Sequence, residues 1–574
     1  MPTLKWIGKE AVENHHLEIP YKLLKCESSL SAGDEEAGNL IVQGDNLEAL
    51  KALLPYYAGQ VKCIYVDPPY NTGEEKWIYN DNVNSPVIKE WINKVVGKEG
   101  EDLSRHDKWL CMMYPRIQLL RQFLRKDGVF FISIDDNEQS NCIQLLNEIF
   151  GLNNFIGSFV WEGALKNDSK FMSVSHDYIF CYAKSKNLLK INKTEWRSAK
   201  EGLDKIYNHV KKLKKEYGDD YKKITELLKE WYSQLKKNDP SWQHKHYNKV
   251  DKKGVYFPSD ISWPGGGGPD YEILHPVSKK PVKKPSRGWV FPHKDTMLTM
   301  ISENKVDFGV DENRVPTLKR YLHETEGQVL ASVIYKDRRA AMQRLRSILE
   351  EDLFENPKDE DTLMKIIEAT TLPGDTILDS FAGSGTTGHS ILKLNKLNSE
   401  YSNRKFLLIE LEDKISKKVT VQRLSKVIGG YKIVKTNGEI EIIEGLGGGF
   451  KYCVLDKPLF DEFGNIRFDV TFSDLAHHIF FTETGVPLAA KFKRKEKSAQ
   501  IGIYKEAAFY LLFNGIMGDK SVNGGNVLTT KILEKLPVYK GKKIIYGEGC
   551  RLSPSRLKRE NIIFKQLPYE VKVS

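Results

Sequence analysis

The sequence predicts an α/β chain: a mostly parallel sheet with helices on both faces, interrupted by a basic insert and followed by an α+β segment. Three observations predict it. Short apolar runs alternate with helix-spaced segments over 39–183 and again from about 363 to 411, as strand–helix–strand units do. Between these stretches the alternation gives way to a segment rich in Lys, Pro, Gly and aromatics. Beyond about 430 the texture changes again, with a hairpin signal at Thr436-Asn437-Gly438-Glu439 between β-rich runs. The resulting divisions are an N-terminal extension 1–38, two α/β halves at 39–183 and 331–428, an insert at 184–330 and a C-terminal domain at 429–574.

Taken in order, Asn39–Gln43 is a short apolar strand ending at Gly44-Asp45-Asn46, and Leu47–Tyr57 has helical spacing with Pro55 near its end. Val61–Val66 is the next strand and stops at Asp67-Pro68-Pro69-Tyr70. A helix from about Leu110 to Lys126 closes on Asp127-Gly128 before the strand Val129–Ile134. A helix over 140–150 and β-rich runs at 156–161 and 177–183 complete this half. Residues 200–237 are Lys-rich with helical spacing. In the second half a helix near Leu363 precedes the strand Thr376–Asp379, then Phe381–Gly388, a helix over 387–397 and a strand from Lys405 to Leu411. There is no internal repeat.

Composition narrows the function classes. Over 574 residues, 40% are hydrophobic and 29% charged, a balance that excludes wholesale disorder. No apolar run approaches the roughly 18 residues of a membrane span, and the N-terminal residues lack the basic-then-apolar layout of a signal peptide. Seven scattered cysteines without a CxxC pair argue against a zinc ribbon and a disulfide framework, and fit a reducing cytoplasm. The pairs His15-His16 and His477-His478 lack chelating i,i+4 spacing, so no metal site is expected. The net charge of +10 is localised. Residues 181–290 hold 25 Lys+Arg against 13 Asp+Glu, so the rest of the chain is close to neutral.

Gly383-Ser384-Gly385-Thr386-Thr387-Gly388 follows a strand and opens a helix, and Glu410 ends the next strand. Glycines let the backbone approach an adenosyl ligand closely, and an acidic residue at the next strand tip accepts bonds from ribose hydroxyls. This pattern by itself admits either NAD or S-adenosylmethionine. It is not a P-loop, because no Lys-Ser/Thr follows the last glycine.

Asp67-Pro68-Pro69-Tyr70 is more specific. Two prolines hold a rigid, extended turn with free carbonyls. An exocyclic amine on a nucleobase is a poor nucleophile because its lone pair is delocalised into the ring. Asp67 and the Pro68 carbonyl can both accept its N–H bonds and free that lone pair, while Tyr70 offers a face for stacking the base. A duplex base must flip out to reach such a site.

Asp67-Pro-Pro-Tyr-Asn-Thr-Gly73 and Phe381-Ala-Gly-Ser-Gly-Thr-Thr387 resemble the catalytic and cofactor motifs of amino-directed DNA methyltransferases. The catalytic motif comes first, with the basic insert between, as in the permuted β-class order. More narrowly, the chain resembles modification (Mod) subunits of type III restriction–modification systems. Further matching runs include Gly44-Asp-Asn-Leu-Glu-Ala-Leu50, His176-Asp177-Tyr178 and Asn356-Pro357-Lys358.

The resemblance implies a Rossmann-like, circularly permuted methyltransferase domain interrupted by a DNA-recognition insert. It implies S-adenosyl-L-methionine as cofactor and adenine N6 of double-stranded DNA as target. Asp67, Pro68, Pro69 and Tyr70 would be catalytic. Phe381, Gly383 and Gly385 would line the methionine portion of the cofactor and Glu410 would take the ribose. Asp45 would lie beside the adenine ring, next to Asn46, with Asp379 and Thr386 as further neighbours. The expected setting is a cytoplasmic homodimer, with the C-terminal domain contacting its mate or an ATP-dependent restriction (Res) subunit.

The insert interleaves cations with aromatics, including Lys211, Lys212, Tyr217, Trp231 and Trp242, which suits phosphate contacts and base reading. Taken alone, the 200–237 stretch reads better as a solvated helix face, and its position between the two α/β halves is what turns the insert toward target recognition. The alternatives are cytosine-N4 methylation, an adenine methyltransferase without a restriction partner, a DNA-binding subunit that has lost catalysis and, more remotely, an NAD-dependent oxidoreductase. Cytosine-C5 chemistry is disfavoured, since no Pro-Cys dipeptide occurs.

Overall fold

The computed structural model describes residues 3–72, 101–163, 172–237, 239–336, 338–397, 403–434, 438–488, 498–518 and 525–571. They form two compact units, one of residues 1–196 and 331–574, the other of residues 197–330.

The first unit is built on one large sheet. Its strands in chain order are β1 (Lys22–Cys26), β2 (Leu40–Gln43), β3 (Val61–Val66), β4 (Leu124–Ile134), β5 (Phe155–Glu162), β6 (His176–Ala183), β7 (Val333–Tyr335), β8 (Thr376–Asp379), β9 (Lys405–Glu410) and β10 (Gly449–Pro458). Across the sheet they run β1-β10-β2-β9-β8-β3-β4-β6-β5-β7, and the short pair Ala32–Gly33 adds to β10. The six strands from β10 to β4 are parallel to their neighbours, while β6 is antiparallel to both β4 and β5. This is the mixed α/β, mostly parallel architecture that the alternation predicts.

All six residues of β3 are buried, as a central parallel strand covered on both faces requires. Helices Asn46–Tyr57, Glu101–Phe123 and Gln139–Phe150 pack together as one group, and Glu360–Thr370, Thr386–Leu397 and Val421–Gly429 as another. Right-handed crossovers running in opposite directions from the centre put the two groups on opposite faces. Leu50, Ile64, Trp109, Phe130, Ile132 and Leu378 belong to one continuous core between the sheet and the first group.

Asn39, 5% exposed at the foot of β2, clamps three strands. Its Nδ2 donates to the Gly449 carbonyl at 2.8 Å and its Oδ1 accepts from the Phe406 amide at 2.9 Å. Its own carbonyl accepts from the Lys451 amide at 3.0 Å.

Several boundaries differ from the sequence reading. The helix expected from Leu110 begins at Glu101, and β4 begins at Leu124, since Lys126-Asp127-Gly128 continues the strand instead of ending a helix. Strand β10, within 429–574, joins the central sheet rather than standing apart from it. Its antiparallel pairing with β1 sets Cys26 opposite Cys453, and the two are joined in a disulfide. Spacing along the chain had pointed away from disulfides because it carries no information about a pairing across 427 residues. Cys63, Cys142, Cys181 and Cys550 are free thiols, and Cys111 lies outside any disulfide and accepts from the Trp6 indole. The hairpin exists as Gly430–Val434 against Ile440–Glu444, but Thr436 and Asn437 of its expected turn lie outside the described residues, as does Gly73. The remaining C-terminal residues form a four-stranded sheet with helix Phe472–Thr484 against it.

The second unit has its own cores. Amphipathic helices Leu203–Tyr217 and Tyr221–Gln234 break at Gly218-Asp219-Asp220 and pack through Ile206, Val210, Ile224 and Leu228. A four-stranded antiparallel sheet and a cluster around Ile261, Trp289 and Met297 complete it. Among the described residues, no helix is long and apolar enough to cross a membrane.

Replacing Asn39 with Ala strands a buried amide and a buried carbonyl between β9 and β10, a loss of about 1–3 kcal/mol. Urea unfolding should show that destabilisation, and an unchanged midpoint would refute the clamp.

Candidate active site

In an open sheet, ligands bind beyond the carboxyl ends of the strands, where successive crossovers diverge. Here that point lies between β8 and β3, which pair in parallel with Thr376 opposite Val61 and Leu378 opposite Ile64. Asp379 therefore ends its strand beside Asp67, although the two are remote in the chain. A cavity of about 800 Å³ opens there. Its wall contains Asp67, Pro68, Pro69, Tyr70, Asp379, Phe381, Gly383, Thr386 and Glu410, so nine of the twelve predicted site residues share it.

Three lie elsewhere. Gly385 turns the chain at φ +74°, where a Cβ would stand 3.0 Å from the Thr420 methyl group, so its part is to keep the turn tight. Asp45 caps helix Asn46–Tyr57, accepting from the Leu47 and Glu48 amides, and its other oxygen pairs with Arg116 at 3.1 Å. Asn46 donates to the Ser380 carbonyl at 3.1 Å and accepts from Arg116. Both follow β2, two strands from β8 in the sheet, and Asn46 reaches the Ser380 carbonyl between the wall residues Asp379 and Phe381.

The acidic tetrapeptide is held from several sides. Buried Trp109 donates its indole N–H to the Pro69 carbonyl at 2.8 Å. Among the described residues the Pro68 carbonyl accepts nothing, so the two proline carbonyls are distinguished and the first remains free. Tyr70 donates its hydroxyl to Asp67 Oδ1 at 2.9 Å, and Asn71 then turns the chain at φ +60°. Burial raises the Asp67 carboxyl, opposed by Lys358 and the Tyr70 hydroxyl, while neighbouring Asp177 adds to the rise. Burial also holds the Tyr70 phenol well above its ordinary value, so it stays a donor.

The glycine turn is braced by acids from two strand tips. Glu410 accepts from the Gly383 amide at 2.8 Å and from the Glu412 amide at 3.0 Å. Asp379 accepts from the Phe381 amide at 3.0 Å and the Thr387 hydroxyl at 2.6 Å. Burial pushes each carboxyl up to about 7. Gly383 has φ +48°, and a Cβ there would sit 3.1 Å from the Phe354 ring, so only glycine leaves that approach open. Behind the turn, fully buried Arg423 donates to the Ser384 and Thr386 hydroxyls at 3.0 and 2.8 Å and pairs with Glu360.

Sequence reasoning passed over several residues of this wall. Lys358 and Asp177 stood in quoted runs without a role, and Trp161, Phe354, Glu355 and Glu412 carried no signal at all. The Trp161 indole nitrogen is buried without a partner among the described residues. Trp109, Arg116 and Arg423 act from behind, and no local motif marks a residue whose partner lies on another strand. In sum the wall carries Asp67, Asp177, Glu355, Asp359, Asp379, Glu410 and Glu412, with Lys358 as its one cation among the described residues.

Residues 61–421 match the family described as DNA methylase. The chain is 35% identical over 434 residues to the Type III restriction-modification enzyme EcoP15I Mod subunit of Escherichia coli, covering 72% of this chain and 64% of that one. It is 29% identical to the EcoPI Mod subunit of Escherichia phage P1, again covering 72% and 64%. The matches thus span under two thirds of the length of these curated relatives. Among solved structures, the PvuII DNA methyltransferase (cytosine-N4-specific) aligns with a TM-score of 0.31 and 11% identity, over 67% of this chain and 86% of that one.

The raised acids fix a pH dependence. Asp379 and Glu410 titrate near 7 in the fold and near 3.8 and 4.5 when unfolded. Between those values the folded state binds more protons, so stability falls as pH rises from about 4.5 to about 7 and levels off above, by at most about 1.4 kcal/mol per pH unit for each group. Glu410→Gln should flatten part of that fall between pH 4.5 and about 7 in thermal unfolding. A slope identical to the wild type would contradict the assignment.

Proposed function

Because the chain belongs to the DNA methylase family, we propose that it transfers a methyl group from S-adenosyl-L-methionine to adenine N6 in double-stranded DNA after base flipping, as the modification subunit of a type III restriction–modification system. The observation that carries this reading is the joining of Asp67-Pro-Pro-Tyr and the glycine turn at neighbouring strand tips, in one acidic cavity. A sulfonium cofactor is cationic and suits seven carboxylates facing one lysine. The pyrophosphate of NAD would meet the same wall as a repelled anion, which weighs against the oxidoreductase reading. The close approach that Gly383 leaves open, and the lone pairs left on Glu410, fit an adenosyl ligand.

When bound, the cofactor supplies an electrophilic methyl group. The chain's own residues do the rest. The Pro68 carbonyl and Asp67 accept the two N–H bonds of the amine and turn its lone pair out of conjugation. Trp109, through the Pro69 carbonyl, and Tyr70, through Asp67 Oδ1, hold the tetrapeptide in place, so the site is organised before the base arrives. The amine nitrogen, so oriented, would receive the methyl group that the bound cofactor supplies. The nitrogen then sheds one proton, for which Asp67 is the adjacent carboxylate. No nucleophile on the chain is needed.

The second unit and its flanks, residues 184–330, carry the basic surplus and are assigned to reading DNA. Lysines and arginines there would supply phosphate contacts, and the affinity would fall steeply with salt. Residues 429–574 are assigned to contact with a second copy or with an ATP-dependent restriction (Res) subunit, and the setting to the cytoplasm. The likeness to Mod subunits supports both assignments.

Asp67→Ala should lower methyl transfer by about 10²–10³-fold or more and leave S-adenosylmethionine binding in place by calorimetry. Wild-type transfer by that variant would sink the proposal. Mass analysis of nucleosides from methylated DNA should show N6-methyladenine. N4-methylcytosine would replace the adenine assignment while keeping the transferase. Single-molecule sequencing of the same DNA would give the recognition site.

A further inference from the structure

Lys358 enters the cavity from the Phe354–Asp359 segment and is largely buried. Its ammonium has three N–H bonds and meets three acceptors: Asp67 Oδ1 at 3.1 Å, the Tyr70 hydroxyl at 2.6 Å and Asp177 Oδ2 at 3.4 Å. Tyr70 in turn donates to the same Oδ1 of Asp67 at 2.9 Å. One oxygen of Asp67 is thereby pinned from two directions. Asp177, on β6, is 5% exposed and is drawn into the same cluster. The whole triangle lies against the first residue of the tetrapeptide, and methyl-transfer chemistry as described above leaves Lys358 and Asp177 without a task.

We propose that Lys358 is a positioning residue for methyl transfer: it pins Oδ1 of Asp67 so that Oδ2 and the Pro68 carbonyl are the acceptors presented to the target amine. The inference rests on the methyltransferase reading of the site. Two carboxylates sharing a buried space repel each other, and without a cation one of them takes a proton. A protonated Asp67 becomes a donor at the point where the amine needs an acceptor. The groups facing Asp67 are Lys358, Tyr70 and Asp177, with Tyr65 and Asp379 behind; Lys358 is the single cation in the set. Burial raises the Asp67 carboxyl and Lys358 is the largest influence holding it down. Removing the ammonium therefore moves the carboxylate form to higher pH.

The experiment measures kcat against pH on mixed-sequence DNA for the full-length wild type, Lys358→Met and Lys358→Arg, with S-adenosylmethionine binding measured by calorimetry. Lys358→Met should lose about 10²-fold in kcat, bind the cofactor as the wild type does, and show its acid limb about one pH unit higher. Lys358→Arg should keep the limb in place with an intermediate kcat. A folded, cofactor-binding Lys358→Met whose acid limb stays at the wild-type position overturns the proposal, whatever its kcat. If Lys358→Met does not fold, Lys358→Gln is read by the same criterion. A wild type that binds cofactor yet methylates no DNA defeats the methyltransferase reading itself, and this inference with it.

Discussion

The parallel pairing of β8 with β3 is the constraint on which the site depends. A carboxylate and a glycine turn from distant parts of the chain become neighbours only because these two strands lie side by side and point the same way. Parallel neighbours cannot be joined by a tight turn, so each must be followed by a helix crossing a face of the sheet. The crossovers diverge at this pair, and the gap between them is the cavity. Asn39 at the foot of β2 and the Asn46–Ser380 bond near its tip fasten the adjoining strands at both ends.

The cavity then concentrates negative charge where water is scarce. Such an arrangement is costly for the fold alone, and burial raises the carboxyls of Asp379 and Glu410 accordingly. Local hydrogen bonds offset part of it: backbone amides of the glycine turn point at Glu410 and Asp379, and hydroxyls at Asp67 and Asp379. A cation entering this space relieves the remaining repulsion, so binding energy and charge compensation coincide. Lys358 supplies part of that compensation at one end, beside the tetrapeptide, while at the glycine-turn end Arg423 stands behind the turn and no cation among the described residues lines the cavity.

Much of this was legible in the sequence, for physical reasons that differ from element to element. The strands β2, β3, β8 and β9 announce themselves as short apolar runs because parallel strands are covered on both faces. Asp67-Pro-Pro-Tyr and the glycine turn are legible because rigid backbone and close approach need particular residues at fixed spacing. What the sequence hides are relations across strands. Trp109 lies in an ordinary helix, Asp177 and Trp161 in ordinary strands, and their importance arises from what stands opposite. Asp45 and Asn46 illustrate the converse: they carry a recognisable run, yet the fold spends them on a helix cap and on Arg116. The Cys26–Cys453 bond and the entry of β10 into the sheet were invisible for the same reason, since both follow from pairing between segments at opposite ends of the described chain.

The second unit leaves the chain after β6 and the chain returns to the sheet at β7, its outermost strand on that side. The second unit occupies a single interval of the chain, between β6 and β7, so it can be lengthened, shortened or traded for another without rethreading β8, β3 and β9. The layout therefore separates two evolutionary clocks: the central strands are free to stay constant while the inserted unit diversifies.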